Sequence, residues 1–158
     1  MARFKTLADV IALTGQEVAV SAWTLITQEQ VNKFAEATGD FQWIHVDPER
    51  AKAGPFGAPI AHGFLTLSLL PKFFDESLQI DEPSMGVNYG LNKVRFMSPV
   101  PVGSRLRGRL KLLATEAVAG PGGSMGVQMT WEVKIEREGL DKPVCVAESL
   151  ARRYPMGA

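Results

Sequence analysis

The sequence predicts an α+β fold in which an antiparallel sheet wraps a long central helix. Three observations carry this expectation. Residues 60–74 place apolar side chains on almost every helical face, and a helix that is hydrophobic all round is buried all round. Val127, Met129, Trp131, Val133 and Ile135 alternate with polar residues, the period of two of a half-exposed strand. Leu106, Gly108, Leu110 and Leu112 alternate in the same way with Arg105, Arg107, Arg109 and Lys111. An apolar helix needs a surface that curves around it, and a meander of long strands supplies one.

A chain of 158 residues fits a single domain over 1–158, or a protomer that completes its core against a second copy. It is 46% hydrophobic and 22% charged, with 17 basic and 17 acidic residues. That balance gives no basic footprint for nucleic acid or an anionic membrane, and little electrostatic resistance to self-association. The apolar stretch at 60–74 is too short and too interrupted to cross a bilayer. The single Cys145 excludes a disulfide framework and a cysteine zinc cluster, which suits a reducing, cytoplasmic compartment. The first ten residues carry no secretory pattern.

Taken in order, Thr6 caps a short helix that begins at Leu7, and Gly15 is placed to close it. Alternation from Glu17 predicts a first strand to about Ile26. Thr27-Gln28-Glu29-Gln30 is a capping box. Val31, Phe34, Ala35 and Thr38 then share one helical face, and Gly39 ends the helix in the left-handed conformation. Residues 40–48 form a loop leaving a packed helix, and residues 52–59 are turn-rich. Pro71 kinks the apolar helix or starts a second one. Strands follow at 85–97, from Arg105, over 127–135 and from Val144, with turns at 121–123 and 139–143. The last residues, 156–158, are expected to fray. A helix wrapped by such a sheet is the hot-dog fold.

The chemistry concentrates at Gly39-Asp40-Phe41-Gln42-Trp43-Ile44-His45. An acid and a base five residues apart do not share a helical face, yet on a loop both can reach one water molecule. Apolar neighbours at 41, 43 and 44 would partly desolvate the Asp40 carboxylate, and a nearby imidazole would offset that. Gly63 opens the apolar helix, where its N–H has no intrahelical partner, and a residue without a side chain admits a carbonyl closely. Residue type alone also fits plainer roles. Asp40 suits a turn cap after Gly39, and His45 suits a hydrogen-bonded loop histidine.

Residues 34–47, followed by Ala61-His62-Gly63-Phe64-Leu65, resemble the MaoC-like (R)-specific enoyl-CoA hydratases. That family's motif runs Gly-Asp-x-Asn-Pro-aliphatic-His, with a later His-Gly pair opening the central helix. Gly39, Asp40, Ile44 and His45 match, while Gln42 stands for Asn and Trp43 for Pro. Residues 93–100 resemble the strand and Pro-Val bend that follow, so the likeness covers most of the chain. It implies hydration of trans-2-enoyl-CoA to (R)-3-hydroxyacyl-CoA, with Asp40 and His45 as the acid/base pair and Gly63 as donor to the thioester carbonyl. It implies an acyl-CoA substrate, no separate cofactor because coenzyme A is part of that substrate, and a homodimer. The same fold also serves acyl-CoA thioesterases and non-catalytic acyl-CoA-binding subunits.

Four further residues are assigned to substrate binding: Gln42, His62, Tyr89 and Gly90. Gln42 either orients a catalytic side chain or lines the pocket. His62 is a cap or a supporting donor at the helix start. Tyr89 and Gly90 border an acyl pocket or form a plain turn. The row from Arg105 to Lys111 either meets the phosphates of coenzyme A or is a solvated face. No set of residues has metal-ligand spacing, and no glycine loop for phosphates is present.

Overall fold

The computed structural model describes residues 1–156. The chain opens with β1 (Ala2–Phe4) and α1 (Leu7–Ile11), the latter started by a reciprocal capping box between Thr6 and Asp9. Next come β2 (Glu17–Val20), β3 (Thr24–Leu25) and α2 (Gln28–Thr38). The short helices α3 (Trp43–Val46) and α4 (Pro48–Lys52) lead to α5 (Gly63–Ser68) and α6 (Leu70–Ser77). The strands β4 (Leu78–Ile80), β5 (Ser84–Phe96), β6 (Arg105–Ala119), β7 (Met125–Arg137) and β8 (Cys145–Pro155) complete it. The main sheet is antiparallel in the order β2-β6-β7-β8-β5, with β3 extending the line of β2 along β6. β1 and β4 pair in parallel apart from it.

The inward residues of the alternating strands make the core. Leu106, Leu110 and Leu112 of β6 and Val133 and Ile135 of β7 are fully buried, as is Phe73 of α6. A Cβ at Gly108 would lie 2.9 Å from the Phe73 ring, so a glycine on β6 lets α6 lie against the sheet. Phe74 packs edge-on to Trp131 at 5.1 Å. Cys145 is buried at the start of β8, and desolvation pushes its thiol up to about 11.

Several sequence expectations need correction. The central helix is two pieces, divided at Leu69, with Pro71 in the first turn of the second. Proline has no N–H to carry the first helix onward, and in the first turn of α6 that N–H is not needed, so the second piece begins with Pro71 inside it. Burial is not all round either, because Phe64 remains 69% exposed on the outer side of α5, edge-on to Phe96. The first strand is split at 21–23. There the Gly108 N–H donates to the Ser21 hydroxyl at 2.9 Å, so a side chain takes the place of a ladder carbonyl. α1 ends before Gly15, which has φ 91° in the following turn and donates to the Leu112 carbonyl at 2.7 Å. Residues 40–48 are not all loop, since α3 and the start of α4 lie there, with the Asp47 carboxylate accepting from the Arg50 N–H at 3.0 Å. Of the residues expected to fray, Met156 donates to the Pro83 carbonyl at 3.0 Å, and 157 and 158 lie outside the described residues. Among the described residues no helix is long and apolar enough to cross a membrane.

Candidate active site

α2 delivers the first site residue. Its capping box joins Thr27 and Gln30, and Gly39 terminates it with φ 80°, a conformation glycine adopts without steric penalty. Asp40 follows directly. Its carboxylate accepts from the Gln42 N–H at 3.3 Å, so the turn-capping role is present alongside any chemical one. Half of its side chain is open to solvent (53%), against the expectation of desolvation. Phe41 is itself exposed, and Trp43 and Ile44 belong to α3, so the apolar neighbours do not close over the carboxylate.

His45 lies on α3 and is buried. Its Nδ1 is 2.7 Å from the Ile60 carbonyl oxygen, an acceptor only. The ring proton therefore sits on Nδ1, and Nε2 of the neutral imidazole keeps a free lone pair. Gln28 of α2 donates to the His45 carbonyl at 2.7 Å, fixing α3 to α2. Burial holds His45 below the ordinary histidine value. The bond to Ile60 opposes that shift, His62 adds to it and Asp40 opposes it more weakly.

His62 precedes α5 and stacks on His45, with ring centroids 3.9 Å apart and planes inclined by 26°. Its Nε2 donates to the Asp40 backbone carbonyl at 3.0 Å and lies 4.0 Å from the Asp40 carboxylate. Gly63, the first residue of α5, sits next in the chain, with an N–H that lacks an intrahelical acceptor by position. A Cβ on Gly63 would lie 3.1 Å from the Phe96 ring. The fold thus gathers Asp40, His45 and His62 around the N-terminus of α5.

Tyr89 and Gly90 lie elsewhere. They line a cavity of about 620 Å³ between α5, α6 and the sheet, with Leu67, Leu70, Phe74 and Trp131. None of Asp40, His45, His62 or Gly63 lines that cavity. Gln42 precedes α3 and accepts the His45 N–H on its backbone carbonyl at 3.0 Å, while its exposed side chain bonds to no described residue. Trp43 packs so closely on Gly54 that a Cβ there would lie 2.8 Å from its ring, and Arg50 covers its face at 4.4 Å. The basic row is largely paired. Arg107 meets Glu136 at 2.7 Å, Arg109 meets Glu17 at 2.7 Å and Arg105 meets Glu138 at 3.1 Å.

Asp40, His45 and His62 bring one donor atom each within 4.8 Å of the others. A shared metal ion requires their lone pairs to point at one position about 2 Å from each nitrogen. Rings stacked nearly parallel send those in-plane lone pairs side by side, and Ile60 and Asp40 already hold one nitrogen of each. The cluster suits proton transfer better than metal binding.

Sequence reasoning did not find Ile60, Gln28 or Phe96. Ile60 acts on the His45 ring through its carbonyl, and the Gln28 amide donates to the carbonyl of His45; no residue type announces a backbone partner.

Residues 9–130 match the MaoC like domain family. The 3-hydroxyacyl-thioester dehydratase Z of Mycobacterium tuberculosis (strain ATCC 25618 / H37Rv) is 53% identical over 152 residues, which is 96% of this chain and 98% of that protein. The structure of a monoamine oxidase regulatory protein from Archaeoglobus fulgius superposes with a TM-score of 0.72 at 27% identity, covering 99% of each chain. R-Hydratase PhaJ1 from Pseudomonas aeruginosa superposes at 0.66 with 24% identity, over 91% of this chain and 83% of that one. With the sheet-wrapped helix and the cluster at its head, these likenesses place the chain in the MaoC-like dehydratase family, a hydro-lyase on the hot-dog fold.

Proposed function

We propose that the protein hydrates trans-2-enoyl-CoA to (R)-3-hydroxyacyl-CoA, reversibly, from a single domain with no cofactor beyond the coenzyme A of the substrate. The observation that carries this is the free Nε2 of neutral His45 beside Asp40 at the head of α5. A base of that kind binds and deprotonates water while the carboxylate accepts its second hydrogen. The water oxygen bonds to C3 of the enoyl group and the C2=C3 pair moves toward the thioester. The Gly63 N–H takes the developing enolate oxygen as hydrogen-bond acceptor. A proton from the acid/base pair then reaches C2, the enolate collapses and the pair returns to its starting state. Elimination of water from the 3-hydroxyacyl thioester is the same path reversed. The (R) configuration rests on the likeness to the R-hydratase.

Gln42 and His62 flank the reacting groups in this reading, and the apolar cavity with Tyr89 and Gly90 holds the acyl chain. Pairing of two copies along β5 would cover an edge strand whose Met85, Val87, Tyr89 and Leu91 are all exposed. The balanced charge favours neither nucleic acid nor membrane as partner, and the free buried thiol suits the cytoplasm.

Crotonyl-CoA provides the test. Loss of the enoyl absorbance without release of free thiol is expected, whereas thiol release would make the protein a thioesterase. Asp40→Asn and His45→Gln should each lower turnover by about 10²–10⁴ while leaving the circular dichroism spectrum unchanged. Undiminished turnover in both variants would overturn the acid/base assignment.

A further inference from the structure

The sequence contains two histidines, and the fold stacks one on the other. Each ring gives one N–H to a backbone carbonyl, His45 to Ile60 and His62 to Asp40. The lone pairs left over are His45 Nε2 and His62 Nδ1, and the latter is buried without a hydrogen-bond partner. Phe34 of α2 lies 5.0 Å from the His62 ring. Gln28, also from α2, and Ile60 reach His45 and are uncharged. Asp40 is a charged group that faces the pair, with its carboxylate 4.0 Å from His62 Nε2.

We propose that His62 is a positioning residue, and that the stacked imidazoles act as a one-proton unit that keeps His45 Nε2 available as the base. This rests on the reading of His45 as the base given above. The stack geometry supports it. A second imidazolium would stand 3.9 Å from the first, and like charges at that separation repel strongly in a buried site, so a proton on the His62 ring disfavours one on His45 Nε2. His62 has a second duty through its other nitrogen. The Nε2–H bond fixes the backbone of Asp40, so one ring sets the place of the acid and the face of the base. Burial of His45, which already disfavours its cation, acts in the same direction.

Two histidines give two imidazole Cε1–H signals, assigned by single substitution, and their NMR titration from about pH 5 to 9 tests the proposal without any turnover. In the wild-type protein at least one signal should stay in its neutral position well below the ordinary histidine midpoint. In His62→Phe, which keeps an aromatic face and cannot take a proton, the His45 midpoint should rise. The acid limb of kcat/KM should rise by the same interval. His62→Gln, which keeps an N–H for the Asp40 carbonyl, should recover kcat at pH 8 relative to His62→Phe without restoring acid tolerance. Two independent titrations near the ordinary value in the wild type, or a His45 midpoint unmoved in both variants, would overturn the proposal. Its failure is separable from failure of the hydratase reading. Coupled midpoints with no crotonyl-CoA consumed sustain the pair and remove the reaction. Hydration with uncoupled midpoints does the reverse.

Discussion

Gly63 is a glycine for a reason that lies on another element. The ring of Phe96 stands where a Cβ would go, at 3.1 Å, so alanine forces that ring aside. Gly63→Ala should lower kcat, and it should destabilise less in a Phe96→Ala background. Urea unfolding of the two single variants and the double should give an interaction of about 0.5–3 kcal/mol. Additive effects would show that Phe96 does not constrain this position. Phe96 is 45% exposed, so its own truncation is mild and the cycle is measurable. At this scale the sequence was informative about residue types and silent about surroundings. Asp40 and His45 stood out as acid and base among apolar residues, and the fold does gather them. The exposure of Asp40 was not legible, because apolar neighbours on a turn do not say which way the chain faces. Nor was the Ile60 carbonyl, a backbone atom 15 residues from His45 that tertiary folding brings to Nδ1.

Elements with repeating patterns or cap chemistry were legible nearly to the residue. The capping box expected at Thr27 forms, Thr6 caps α1 with Asp9 as a reciprocal partner the sequence reading did not name, and Gly39 takes its left-handed turn. Over 106–112 of β6 and along most of β7 the strands follow their alternation, since one buried face fixes the register. What escaped has no period to detect. α3 is four residues long and α4 five, too short to show helical spacing. The split of the first strand depends on one serine hydroxyl finding Gly108. The α2 cap carries consequences for the site, because Asp40 hangs from the far end of that helix. Thr27→Ala should cost about 1 kcal/mol, which for a chain of this length lowers Tm by roughly 2–4 °C. A thermal melt showing no change would mean that packing of Val31 and Ala35, both buried, holds α2 without its cap.

On the scale of the whole molecule, one edge of the sheet is open. β5 has thirteen residues, nearly all exposed, and pairs along one side with β8. Long apolar edges of this kind recruit further strands unless something blocks them. The dimer proposed above should become a folded monomer in Val87→Lys with Leu91→Lys, measured by analytical ultracentrifugation beside circular dichroism. A variant that keeps its wild-type mass in solution would place the contact between copies elsewhere. The expected wrapping was right in kind, and the discrepancy lies in the helix itself. Its division at Leu69 separates two tasks within a single apolar run. α6 is seated on the sheet by Phe73 against Gly108, whereas α5 begins at Gly63 beside the histidine pair and carries the exposed Phe64. Replacements on the α5 half can therefore remodel substrate fit while the keystone on the α6 half stays in place, which makes the break a partition between what may drift and what must hold.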